Sequence, residues 1–219
     1  MNSATTCPLC GGSAYGWLTI PARELKPSVG MPSPIDPDEV TGKERIVDRC
    51  ADCDSGIARG KGKIDLAAEL EAISTKRDDG SLLIAAPNRA SLQAGIGSEG
   101  WAALADWRTR LLLTPKGLEL LARKQGYELD RVRFQIWGQS QVWMWQTLTN
   151  GLTLHPNFLH EVRAGRLTPE NARSRFAYVA DFIASVLAAP LVALVSFPLE
   201  LIGIVLRKGG LIVAEARRA

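Results

Sequence analysis

The feature that most constrains this chain is a set of four cysteines arranged as two Cys-x-x-Cys pairs, Cys7 with Cys10 and Cys50 with Cys53. A Cys-x-x-Cys turn aims two thiolates at one point, and two such turns supply the four soft ligands that tetrahedral zinc prefers. In Cys7-Pro8-Leu9-Cys10-Gly11-Gly12, Pro8 sets the turn and Gly11 can take the positive φ that follows it. The second turn, Cys50-Ala51-Asp52-Cys53, is followed by Asp54, a residue that tolerates the left-handed region. The competing readings are a redox dithiol, which wants its first cysteine at a helix N-terminus after a strand, and free structural cysteines. With all four positions filled and none left open for water, the expectation is a structural zinc ion on Cys7, Cys10, Cys50 and Cys53.

The 39 residues from 11 to 49 exceed the roughly 15 to 20 usual between zinc-ribbon knuckles. Two short strands, Tyr15–Ile20 and Ile46–Arg49, flank a segment rich in proline (Pro21, Pro27, Pro32, Pro34, Pro37), which reads as an irregular excursion. A long loop at this point costs little extra entropy. The expected organisation is a zinc-ribbon module over 1–56, a linker over 57–64 and an α/β domain over 65–219. With 26 Lys and Arg against 23 Asp and Glu, the net charge of +3 makes no case for nucleic acid. The N-terminus lacks the basic start and apolar run of a secretion signal, so a cytoplasmic, reducing compartment is expected, where paired cysteines favour metal over disulfides.

Downstream, Leu66, Leu70 and Ile73 recur at helical spacing after Asp65 as N-cap. The apolar run Ser81–Ala86, closed by Pro87-Asn88, reads as a buried strand. Thr114 followed by Pro115 opens a helix that should stop at Gly126, and Val132, Phe134 and Ile136 alternate with polar residues as in a half-exposed strand. A second Thr-Pro pair, Thr168-Pro169, predicts a helix running toward Phe182. Residues 210–216 read as a terminal strand. The order of elements is that of an α/β fold.

These stretches resemble class I S-adenosylmethionine-dependent methyltransferases with an N-terminal zinc ribbon. The likeness rests on the two knuckles, on Asp65–Ile73, on Asp79-Gly80-Ser81-Leu82-Leu83-Ile84-Ala85-Ala86-Pro87-Asn88, on Leu113-Thr114-Pro115 through Gly126-Tyr127, and on Gly209–Arg217. It implies that 82–88 corresponds to the family's fifth strand and 210–216 to its closing antiparallel strand. The cofactor of that fold, S-adenosylmethionine, is held by a Gly-rich loop after the first strand and by a carboxylate ending the second. Neither can be placed here. Only eleven residues, 54–64, separate Cys53 from Asp65, where the family fits roughly 80 or more at ordinary βα-unit lengths. The expectation is a truncated Rossmann-like domain that lacks the first half of the sheet and is degenerate and non-catalytic. The alternatives are an active methyltransferase acting on a small molecule or sugar, and a membrane-surface binding protein.

Gly95-Ile96-Gly97-Ser98-Glu99-Gly100 matches G-x-G-x-x-G literally but lies seven residues past Asn88, so it reads as a surface loop, with Gly95 and Gly97 the only cofactor candidates. Gly60-Lys61-Gly62 reads as part of the linker. No catalytic residue can be assigned: the stretch Trp107–Leu113, where relatives often carry a histidine, has none, and His155 and His160 read as surface residues that share no helix face. Trp137, Trp143 and Trp145 read as an amphipathic cover for the sheet.

From Phe182 to Leu199 there is no charged residue, and apolar character continues past Glu200 to Leu206. Pro190 and Pro198 are expected to interrupt this run. It reads as a buried or oligomer-forming helix, through which a second copy or a partner protein is expected to bind at 182–206. The alternatives are an interfacial helix in contact with a membrane and a true span.

Overall fold

The computed structural model describes residues 5–20, 45–60, 62–105, 110–135, 138–163, 165, 167–170, 172 and 174–219. The proline-rich excursion over 21–44, Lys61, Trp107 to Thr109, Ile136 and Trp137 lie outside them. The fold is mixed α/β with two sheets, and the described residues divide into two compact units.

The first unit comprises residues up to Ala90, Asp106–Phe134 and Leu211–Ala219. One sheet contains β1 (Thr5–Thr6), β2 (Ser13–Ile20), β3 (Arg45–Cys50), β4 (Gly56–Ala58) and β7 (Leu111–Leu112), in that spatial order and antiparallel throughout. Residues 57 and 58, read from sequence as linker, are therefore strand. Ile57 is buried, and β4 finds partners on both sides, which a solvated linker would lack. The second sheet has the order β5 (Ser74–Lys76), β6 (Leu82–Pro87), β9 (Leu211–Arg218), β8 (Tyr127–Gln135). Here β9 runs antiparallel to β6, with Ile84 opposite Ala214.

Local signals place the helices of this unit. Helix α1 (Leu66–Ile73) begins at Asp65, whose carboxylate accepts the Ala67 N–H at 2.9 Å. Helix α3 (Pro115–Lys124) is capped by Thr114 and ends before Gly126, which sits at φ 74°. A single buried cluster includes Cys7, Leu9, Cys50 and Cys53 together with Ile84, Leu118, Leu121 and Ile212. The ribbon and the second sheet thus share one core, so the division into modules over 1–56 and 65–219 is not kept. The reason is size: two small knuckles bury too little apolar surface alone, and Leu118 and Leu121 of α3 supply the rest.

The second unit comprises Ser91–Ala105 and Gln135–Gly210. It holds α2 (Leu92–Gly97), α4 (Gln139–Asn150), α5 (Phe158–Arg163) and α6 (Arg175–Val205). Two sequence expectations change here. Thr168-Pro169 forms only a turn, closed by the Ala172 N–H on the Thr168 carbonyl at 3.0 Å. The helix instead starts at Ser174, whose hydroxyl accepts the Ala177 N–H at 3.0 Å just before the apolar run begins. Pro190 and Pro198 do not interrupt α6, which is continuous for 31 residues. Each proline deletes one backbone donor, a loss that a helix this long absorbs.

Candidate metal centre

The four sulfurs converge: they all lie within 4.8 Å of one another, with Cys10 to Cys50 at 3.4 Å and Cys7 to Cys53 at 3.7 Å. These separations exceed a disulfide bond of about 2.05 Å. They match the edge of a tetrahedron with metal–sulfur bonds of about 2.3 Å, which is about 3.8 Å. The donor set therefore fits one tetrahedral soft metal ion.

Backbone geometry builds each knuckle. The Cys7 N–H donates to the Gly12 carbonyl at 2.8 Å, the Gly11 N–H returns to the Cys7 carbonyl at 2.9 Å, and Gly11 takes φ 79°. The Gly12 N–H points at Cys10 Sγ from 3.4 Å, the kind of donor that tempers thiolate charge. In the second knuckle the Cys50 N–H donates to the Ser55 carbonyl at 3.0 Å, and Asp54 takes the left-handed φ of 60°. The knuckles meet closely enough that a Cβ on Gly12 would fall 2.0 Å from Asp52 Oδ2.

Helix α3 holds the second knuckle from behind. The buried Thr114 hydroxyl donates to the Cys53 carbonyl at 2.7 Å while accepting the Gly117 N–H at 3.0 Å. Lys116 Nζ donates to the Asp52 carbonyl at 2.8 Å. Asp54 is paired with Arg49 and, at 2.7 Å, with Arg89, whose guanidinium also lies 4.2 Å from the Trp17 ring centre. Sequence reading singled out the four cysteines that converge and Thr114 as a helix cap, but not the contacts of Thr114 and Arg89 with the second knuckle. Their role depends on contacts across 61 and 35 residues, and no local pattern reports those.

Burial pushes the Cys7 thiol far above the usual range and raises Cys53 as well. Burial also acts upward on Cys50, but the N–H groups of Cys53 and Asp52 and hydrogen bonds from the Cys10 and Cys53 thiols outweigh it, bringing Cys50 to about 7. Between pH 6 and 8 Cys7 and Cys53 thus hold their protons until a metal displaces them. Metal affinity should therefore rise with pH by at least about a hundredfold per unit, because at least these two protons are released on binding. Competition with a chromophoric chelator at pH 6, 7 and 8 measures the slope, and a flat profile would mean that these thiols do not ligate.

The remaining candidates fall elsewhere. Gly95 and Gly97 lie within α2, not in a strand-to-helix loop, and a Cβ on Gly97 would meet Thr147 Cγ2 at 2.5 Å. Close packing against α4 is what this glycine serves. His155 is not a plain surface histidine: its Nδ1 is 2.7 Å from the buried Asp181, which also accepts the N–H groups of Leu154 and His155. His160 is exposed. Trp143 is buried and Trp145 half-buried on α4, which packs along α6. The buried Glu200 carboxylate binds the Ser140 hydroxyl, Gln93 Nε2 at 2.6 Å and the Gly210 N–H at 3.1 Å. Asp181 and Glu200 thereby tie one long helix to the rest of its own unit.

Fold and site together define a mixed α/β protein with a four-cysteine cluster, able to hold a metal ion, beside its core. No protein-family model matches the chain, and neither does any curated protein or solved structure.

Proposed function

We propose that this chain is a structural zinc-binding protein, a non-catalytic relative of the zinc-ribbon class I methyltransferases. The observation that carries the metal reading is the convergence of four thiols, three of them buried, at tetrahedral spacing. Tetrahedral tetrathiolate sites take zinc or iron, and a zinc site with no open position is structural. The methyltransferase reading draws on the resemblance, with which the antiparallel pairing of β9 to β6 agrees. The non-catalytic reading draws on what lies between ribbon and helix. Among the described residues of 54–64 there are only β4 and the approach to α1, and the one G-x-G-x-x-G match is helical through Gly97.

Two measurements test this. Elemental analysis of the purified chain should give one zinc per chain, and a stoichiometric iron content would reassign the metal. Calorimetric titration with S-adenosylhomocysteine should give no saturable heat. Micromolar saturable binding would overturn the non-catalytic reading and favour an active methyltransferase.

A further inference from the structure

Helix α6 is polar inside and apolar outside. From Phe176 to Leu206 the only charged residues are Asp181 and Glu200, and both are buried and hydrogen-bonded within the second unit. Ser185 and Ser196 are buried on the same side. At 100° per residue, Ala177, Asp181, Ser185, Ser196, Glu200 and Gly203 fall within an arc of about 140°. The other 220° or so is turned outward, and it presents Phe176 (81 % exposed), Leu187 (75 %), Leu194 (72 %) and Val205 (75 %). This inverts the usual order of a helix on a water-soluble surface, which turns its apolar stripe to the core.

We infer that this outward face docks on a lipid bilayer, with α6 lying in the plane of the membrane. Three observations select lipid over a protein partner. The outward arc is about twice the roughly 100° stripe that a facing helix covers. It carries no charge and so lacks the polar rim that surrounds the apolar centre of a protein interface. The exposed charges next to it along the chain are cationic and bracket it at both ends: Arg175 on one side, Arg207 and Lys208 on the other. Cations at both termini of a helix about 46 Å long suit one that lies along anionic headgroups while its side sinks into the acyl region. The in-plane arrangement, and not a crossing, follows from the inward arc. That side is covered by α4 of the same unit, with the buried Glu200–Ser140–Gln93 network between them, and a spanning helix would carry this polar assembly into the hydrocarbon. The inference does not depend on the metal.

The test is flotation of the full chain made by cell-free synthesis with vesicles of phosphatidylcholine and phosphatidylglycerol. Wild type should float with the vesicles, whereas aggregated protein would sediment. The double variant L187K/L194K, altered at two outward positions that are mostly exposed, should float at least fivefold less while keeping its circular dichroism and metal content. Replacing Arg175, Arg207 and Lys208 with Gln should lower flotation severalfold on anionic vesicles and leave it unchanged on pure phosphatidylcholine. Alkaline carbonate should release the wild type. Failure of wild type to float, or equal flotation of L187K/L194K, overturns the inference. Resistance to carbonate overturns the in-plane arrangement in favour of a span. A stable dimer, abolished by L187K/L194K and formed without flotation, assigns the face to a second copy.

Discussion

Stripping the metal from the four-thiolate centre should abolish amide protection in β6 and β9 as well as in the ribbon strands β2 and β3. The cysteines belong to the same buried cluster as Ile84, Leu118 and Ile212, so the ribbon cannot open without exposing the floor of the second sheet. Zinc contributes roughly 10 to 16 kcal/mol in zinc-finger peptides, comparable with or above the roughly 5 to 15 kcal/mol that holds a whole domain folded. Without the ion, four thiols packed at 3.4 to 4.8 Å are left without the bonds that drew them together. Hydrogen exchange before and after chelation, read peptide by peptide, is the measurement. The substitution Cys53→Ser should reproduce the chelated pattern in metal-containing buffer. If β6 and β9 stay protected while β2 and β3 exchange freely, the shared core is not cooperative and the ribbon is a separate folding unit after all.

The second large effect is expected at Thr114, which is 3 % exposed and serves two masters. Its hydroxyl caps α3 and simultaneously satisfies the buried Cys53 carbonyl. The change Thr114→Val keeps the branched shape and removes both bonds. Loss of the cap costs about 1 kcal/mol, and leaving the carbonyl unpaired adds about 1 to 3 kcal/mol. The sum, about 2 to 4 kcal/mol, should lower the Tm of the metal-loaded protein by on the order of 10 °C. It should also speed metal release, because the carbonyl of a ligand residue loses its anchor. Thr114→Ser, which retains the hydroxyl, should stay within about 1 kcal/mol of wild type. A Thr114→Val protein with unchanged Tm and unchanged release would show that α3 does not brace the knuckle.

Features written in a few adjacent residues were legible in the sequence. Thr114-Pro115 and Gly126 bound α3, Asp65 opens α1, and Gly11 and Asp54 take the left-handed turns that the two knuckles require. The pairing of the four cysteines that converge was legible for the same reason. What escaped was decided over long separations or by competition between neighbouring signals. Thr168-Pro169 has the chemistry of a helix start, but Ser174 stands directly before the apolar run and takes the cap. The glycines at 95 and 97 match a cofactor-loop spacing, yet Ser91 caps a helix through them, and the Gly97 backbone is needed close to Thr147. The two-residue strand β7 carries no periodicity at all. It exists because the buried Glu69 carboxylate gathers the Arg110 and Leu111 N–H groups, 41 and 42 residues further along the chain. The pairing of His155 with Asp181 likewise spans 26 residues and has no local trace.

The position of β9 has a consequence for how the chain is made. The strand lies between β6 and β8 and completes the core around the cysteines, yet it follows every residue of the second unit in sequence. On the ribosome a metal ion could bind the two knuckles as soon as Cys53 emerges, long before β9 exists. From the synthesis of β8 until that of β9, the strands β6 and β8 of the second sheet lack the strand that lies between them, while the apolar length of α6 is translated. Contacts this far apart in sequence form slowly, and an open sheet interior is a site for mispairing. A metal ion held by the four cysteines would therefore act as a pin set early, keeping the first half of the core in register until β9 arrives to fill the gap.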